Sequence, residues 1–81
     1  MDGLKIMGYI YDVFYGMDMD PESSERVAKI LSKYFPYDPH DFGIENLNKI
    51  IKELFILERE TYDDSQKKIY KEFIDILQRI D

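Results

Sequence analysis

The chain has 81 residues, which fits a single domain spanning residues 1–81, and its 15% aromatic content compensates for the small core that this length allows. It contains no cysteine, which excludes a disulfide-stapled framework, thiolate metal sites and thiol catalysis. Its net charge of −6 disfavours nucleic acids and anionic membranes and favours a basic protein partner, although such a charge also simply keeps a small domain in solution.

The first predicted element is a helix over residues 4–16. Nearly all of it is apolar or aromatic, and only the stripe Lys5, Gly8, Asp12 and Gly16 is polar or small. The β-branched and aromatic content would also suit a strand, but a single strand without a partner cannot form a sheet. A helix this apolar is either nearly surrounded or offers a face to another molecule. Gly8 predicts close backbone contact with a neighbouring helix, because glycine inside a helix is costly.

This segment does not have the pattern of a targeting signal. Asp2 precedes it, Lys5 and Asp12 interrupt it, and no small-residue cleavage site follows. No apolar run approaches the ~20 residues that a membrane-spanning helix needs. The sequence therefore predicts a soluble protein without membrane contact, and the lack of cysteine is compatible with the cytoplasm.

The second predicted helix covers residues 21–35. Asp20 is a good N-cap, Pro21 suits the first helical position, and Pro36 ends the helix. Its apolar residues follow the helical period and form one stripe: Val27, Ile30, Leu31, Tyr34 and Phe35.

The connection that follows is the most informative part of the chain. Residues 34–42 contain four aromatic residues, two prolines and two aspartates. The prolines exclude the interior of a helix or a central strand and predict a stiff surface loop. Exposed aromatic residues dominate protein interfaces, so this composition predicts a protein-binding patch. The predicted binding residues are Tyr37, Asp38 and Asp41, with Tyr11 or Tyr15 as a second patch.

The negative charge is concentrated around the first two turns. Residues 1–20 contain four aspartates and one lysine, and the proline-containing loop adds two further aspartates. Capping at a helix start explains Asp20 and Asp41. It does not explain Asp18 and Asp38, which therefore remain candidates for contact with a partner.

Two further helices are predicted over residues 44–59 and 64–80, the second with Asp63 and Gln66 as a capping-box variant. The first has an apolar face made of Ile44, Leu47, Ile50, Ile51, Leu54 and Phe55. Charged residues on its other side follow at intervals of four: Glu45, Lys49 and Glu53. The last helix has an apolar face made of Ile69, Tyr70, Phe73, Ile74, Leu77 and Ile80. The sequence thus predicts an all-α fold, a small four-helix bundle with short connections.

The sequence gives little support for an enzyme. Its one histidine, His40, lies on a short loop between Asp38 and Asp41, and a metal site needs three or four converging ligands. The tripeptide Asp41–Gly43 spells a kinase motif, but the glycine-rich and catalytic loops of kinases are missing. We therefore predict a non-enzymatic protein with no metal and no cofactor.

The run Tyr34-Phe35-Pro36, followed by an acidic stretch and a helix through Lys52-Glu53-Leu54, resembles the small bacterial immunity proteins that inhibit nuclease toxins. In the colicin DNase immunity proteins, a Tyr-Tyr-Pro run and nearby acidic residues contact the basic toxin. This chain has Phe35 in place of one tyrosine. The resemblance implies a non-enzymatic toxin inhibitor with a contact set of Tyr34, Pro36, Tyr37, Asp38 and Asp41.

Two other interpretations arise, of which the first fails and the second remains. The stretch Phe42–Leu47 is similar to the motif of acyl carrier proteins, but Asn46 stands where their modified serine would be, so no hydroxyl is present to carry the prosthetic arm. The other interpretation is a helical adaptor or structural domain that forms a homodimer through the apolar first helix.

Overall fold

The computed structural model describes residues 2–80 and contains four α-helices and no strand within that range. The helices are α1 (Gly3–Gly16), α2 (Pro21–Tyr34), α3 (Ile44–Glu60) and α4 (Asp64–Gln78), and a short 3-10 helix, Pro39–Asp41, lies between α2 and α3. α3 is central and packs against α2 and α4, whereas α1 packs against α4 and the 3-10 helix. The predicted all-α four-helix bundle is confirmed.

The helix ends differ from the predicted ones by one or two residues. α2 ends one residue early because Phe35 is extended, as expected for a residue that precedes proline, although its N–H still reaches the carbonyl of Leu31 at 2.9 Å. α4 ends two residues early, where Arg79 and Ile80 form tightened bonds to carbonyls three residues back. α1 and α3 are each one residue longer than predicted.

Aspartates cap three of the four helices. Asp2, Asp20 and Asp63 each accept a hydrogen bond from the backbone N–H three residues later. The prediction that Asp41 caps α3 is wrong, because Gly43 is the N-cap and Asp41 belongs to the 3-10 helix.

Asn46 fixes the start of α3 in place of an aspartate cap. Its side-chain oxygen accepts from the Gly43 N–H at 3.0 Å, and its amide nitrogen donates to the carbonyl of Tyr34 at 2.9 Å. One side chain therefore satisfies the first turn of α3 and the last turn of α2 together. This geometry also accounts for an asparagine at this position without reference to carrier proteins.

The buried core draws on all four helices and on the loop before α3. Its hydrophobic members are Met7, Ile10, Val27, Leu31, Phe42, Leu47, Ile50, Leu54, Tyr70, Phe73, Ile74 and Leu77. Tyr70 is fully buried, and its hydroxyl donates to Ser23 Oγ at 3.0 Å. Burial of both groups is tolerated because they satisfy each other.

Three apolar side chains of α3 remain largely exposed: Ile44, Phe55 and Ile56. The predicted apolar face of this helix is therefore wider than the surface that its neighbours cover. α2 and α4 bury Leu47, Ile50 and Leu54, which form the central line of that face.

The close backbone approach predicted for Gly8 occurs instead at Gly3. A Cβ added to Gly8 would meet nothing within 4 Å, whereas one added to Gly3 would meet the carbonyl oxygen of Pro39 and, at 2.6 Å, that of Phe42. Gly3 is buried and Gly8 is exposed. Glycine is thus required at the N-terminal end of α1, where the helix lies directly on the loop after α2. Within residues 2–80, no helix is long and apolar enough to cross a bilayer.

Candidate protein-binding surface

The loop of residues 35–43, called here the acidic loop, is fixed to the body of the protein by two aromatic rings. Phe42 is 3% exposed and belongs to the core. Phe35 is half-buried, and its ring meets Phe42 edge-on at 5.6 Å between centroids and Tyr11 of α1 at 4.9 Å. Together with the contact at Gly3, these rings hold both ends of the loop against α1.

The middle of the acidic loop is ordered by its own hydrogen bonds. Asp38 caps the 3-10 helix: its Oδ1 accepts from the His40 N–H at 3.0 Å and lies 3.0 Å from the ring Nδ1. These two bonds, the backbone one first, hold the pKa of Asp38 below its usual range and keep the carboxylate ionised. The expectation that capping does not explain Asp38 is therefore wrong. The side chain remains largely exposed despite this role.

Tyr37 is the most exposed large residue of the acidic loop. Its side chain is fully exposed, while Pro36 before it is half-buried and Asp41 after it is exposed. The chain enters the tyrosine from one proline and leaves Asp38 into another, so its backbone has little freedom. The loop therefore presents a phenol, followed by two exposed carboxylates, on a rigid support. This group can stack on, and accept hydrogen bonds from, a basic side chain.

Tyr11 and Tyr15 extend this surface along α1. Their rings stack at 6.0 Å with an interplanar angle of 13°, and Tyr11 is also the ring that touches Phe35. Tyr15 is 76% exposed and Tyr11 is 40% exposed. The structure thus joins the second predicted patch to the acidic loop through the contact between Tyr11 and Phe35.

Tyr34 lies apart from this surface. Its hydroxyl donates to the Glu53 carboxylate of α3, which also pairs with Lys33 at 3.1 Å. The hydrogen bond from Tyr34 lowers the pKa of Glu53 and raises that of Tyr34, and Glu53 likewise raises the pKa of Lys33. Glu53 was expected to interact with Lys49 on its own helix, but its carboxylate is bound by α2. This triad joins α2 to α3.

Asp18 also lies apart from the acidic loop. It is exposed at the centre of a tight turn in which the Met19 N–H reaches the Met17 carbonyl at 3.0 Å. This turn follows the C-terminal end of α1, while the part of the loop around Pro39 and Phe42, which carries Asp41, contacts α1 at Gly3. A helix of 14 residues is about 20 Å long, so the two acidic turns lie at opposite ends of α1.

Sequence reasoning missed two exposed apolar residues of α1, Leu4 and Tyr9, which are 51% and 49% exposed. The signal was present in the excess of apolar residues on α1, but periodicity did not show which of them would lack a neighbour. It also missed Gly3, which must be glycine because the acidic loop packs directly against this end of α1.

No group of three or more histidine and carboxylate side chains within residues 2–80 is arranged to hold a metal ion. Comparison with protein-family models, curated proteins and solved structures finds no match to this chain.

Proposed function

We propose that this chain is a non-enzymatic inhibitor that binds a basic protein through the acidic loop, in the manner of an immunity protein that neutralises a nuclease-like bacterial toxin. The observation that carries the proposal is the complete exposure of Tyr37 on a loop that is otherwise anchored to the core. A large aromatic side chain left in water on a rigid support is typical of a binding hot spot.

The anchoring supports binding through its effect on entropy. Association is weakened when loops must become ordered at the interface. Here Phe42 is buried, the Asp38 carboxylate caps the 3-10 helix, and the Gly3 backbone lies against the loop. The loop therefore meets a partner with most of its order already in place, and a larger share of the contact energy appears as affinity.

The charge of the surface indicates the class of partner. Asp38 and Asp41 follow the tyrosine on the same loop, and the whole chain carries a net charge of −6. Such a field speeds association with a basic protein and makes the rate sensitive to salt. A nuclease toxin fits because its substrate-binding cleft is positively charged. Inhibition of such a toxin would take place in the cytoplasm.

The proposed contact set has Tyr37, Asp38 and Asp41 at its centre. Pro36 and the exposed edge of Tyr11 border it, and Tyr15 is its outermost member. Tyr34 is excluded because its hydroxyl is bound to Glu53, and Asp18 is excluded by its position at the far end of α1.

The test uses the two genes that flank the one encoding this chain. Each neighbour is expressed from an inducible promoter, and growth is measured with and without this protein. We expect one neighbour with a basic C-terminal domain to arrest growth and this protein to restore it. If neither neighbour is toxic or bound by the purified chain, the proposed function is wrong.

A matched pair of variants tests the surface by titration of the purified toxic neighbour and by thermal melts. Tyr37→Ala should weaken the purified complex by roughly 2 kcal/mol, about thirtyfold in Kd, with an unchanged melting temperature. Tyr62→Ala is the control, since Tyr62 is 99% exposed but lies between α3 and α4. An early melt of Tyr37→Ala with unchanged binding would overturn the assignment of the loop as the interface.

A further inference from the structure

One stripe of α1 is exposed although its composition is that of a helix–helix contact. Leu4, Gly8, Tyr11 and Tyr15 are separated by four, three and four residues and are all exposed. At 3.6 residues per turn they fall within about 60° of the helix circumference. Spacings that alternate between three and four are those of the seam of a two-helix coiled coil.

Gly8 lies in the middle of this stripe without an internal reason for being glycine. The backbone is helical, and a Cβ at this position would meet nothing within 4 Å. Glycine inside a helix costs about 1 kcal/mol relative to alanine. The absent side chain leaves room for close approach from outside the protomer, which distinguishes Gly8 from Gly3, whose neighbour is the protein's own loop.

Two charges of α1 border the stripe on one flank. Lys5 and Asp12 are exposed and form no ion pair within residues 2–80. They are seven residues apart, so they lie on the same side of the seam, and the midpoint between them falls beside Gly8. When two such helices pack antiparallel about a two-fold axis, equal flanks face each other, and residues equidistant from the axis are opposite.

We propose that the occupant of this stripe is a second copy of the chain, with α1 packed antiparallel against its symmetry mate at Gly8. Lys5 of each protomer then faces Asp12 of the other, which gives two equivalent ion pairs. In a parallel pair this flank would face the opposite flank, where α1 carries no charge. The charges therefore select the antiparallel arrangement.

The area involved sets the strength of the dimer. The exposed parts of Tyr11 and Tyr15 amount to roughly 230 Å² at ~200 Å² per aromatic side chain. With Leu4 and the polar flank, the face stays below the about 800 Å² per partner that standard specific interfaces bury, so the dimer is weak. The expected dissociation constant is micromolar. Tyr11 and Tyr15 belong both to this face and to the border of the proposed contact set, so dimerisation and binding of the basic partner compete for these two side chains.

The experiment is sedimentation of the full chain between about 1 and 200 µM, with a charge cycle. Wild type should pass from monomer to dimer across this range. Lys5→Glu and Asp12→Lys should each raise Kd about tenfold, because each creates two like-charge contacts, and the double variant should return to the wild-type Kd. Lys68→Glu and Glu72→Lys on α4 change the net charge equally and should leave Kd unchanged.

A second variant tests the close approach. Gly8→Leu should abolish the dimer, while at low concentration it should melt no earlier than wild type, because leucine is the better helix former and its Cβ meets nothing. Wild type that stays monomeric at about 200 µM overturns the proposal. So does a double charge variant that binds no better than the single ones, since the antiparallel pairing requires their compensation.

Discussion

α1 and α4 are helices of similar length, and α1 has the more apolar composition, yet α4 is the more deeply buried of the two. α4 buries four large side chains, Tyr70, Phe73, Ile74 and Leu77, whereas α1 buries only Gly3, Met7 and Ile10. α4 packs along the central helix α3, while α1 packs against α4 and a three-residue 3-10 helix. The extent to which a helix is buried thus depends on the number and length of the elements packed against it. A more apolar composition alone does not bury a helix.

Polar groups show the same contrast. In the first turns of α4, Gln66 donates to Asp20 and Glu22 of α2, and Tyr70 donates to Ser23. Within residues 2–80, no side-chain hydrogen bond links α1 to another helix. α4 is therefore fixed by direction-specific contacts as well as by packing, and α1 is held by packing alone.

The largest expected effect contrasts the two helices directly. Phe73→Ala should lower the free energy of unfolding by about 3–5 kcal/mol, because it opens a cavity in the core at a residue with no exposed surface. Tyr15→Ala on α1 should change it by less than about 1 kcal/mol. Urea denaturation at low protein concentration measures both. Equal losses would show that α1 is buried as deeply as α4.

Two glycines on α1 should respond with opposite signs. Gly3→Ala should destabilise the fold by about 1–3 kcal/mol, because its Cβ would overlap the carbonyl oxygens of Pro39 and Phe42. Gly8→Ala should stabilise it by up to about 1 kcal/mol, since the added methyl meets only solvent. Thermal melts of both variants at one low concentration provide the test. A loss of stability in Gly8→Ala would instead support the close helix–helix contact that the sequence predicts at Gly8.

Removal of the buried Tyr70 hydroxyl on α4 should lower the free energy of unfolding by less than removal of the Phe73 ring does. Tyr70→Phe leaves the Ser23 hydroxyl without its buried partner and should lower stability by about 1–2 kcal/mol. The double variant Tyr70→Phe/Ser23→Ala should recover part of this loss. Tyr62→Phe, at a fully exposed tyrosine, is the control. Additive losses in urea denaturation would show that the two hydroxyls act independently.

The smallest effect concerns the half-buried contact of α2 with α3. The Tyr34 hydroxyl and Lys33 lower the pKa of Glu53 below its ordinary value of 4.5, so ionised Glu53 stabilises the fold above that pH and the contribution disappears as pH falls through the folded-state pKa. The pKa of Tyr34 is raised above 10.0, so its share is lost at higher pH.

Wild type should therefore lose more stability than Glu53→Gln between about pH 5 and pH 3, as measured by urea denaturation. Asp20 and Asp38, whose pKa values are also lowered, contribute to the decline in both proteins. Identical slopes for the two proteins would show that Glu53 gains nothing from its partners in the folded state.

Much of this protein could be predicted from local sequence. Pro21 and Pro36 bracket α2, Asp20 and Asp63 cap the helices that follow them, and apolar periodicity places the buried residues of α2 and α4. These features depend on residues that are close together along the chain, so they can be predicted without knowledge of the tertiary structure. The exposed proline-bound Tyr37 was predictable for the same reason.

The tertiary structure decided what depends on distant residues. Tyr34 points away from the acidic loop because its hydroxyl donates to Glu53 of α3. Asp18 lies at the opposite end of α1 from Asp41, and Tyr11 contacts Phe35. The glycine in close contact with another segment is Gly3, whereas the sequence predicts Gly8. Periodicity gives the direction of each side chain around its own helix, but only the packing of the helices determines which directions meet protein and which meet water.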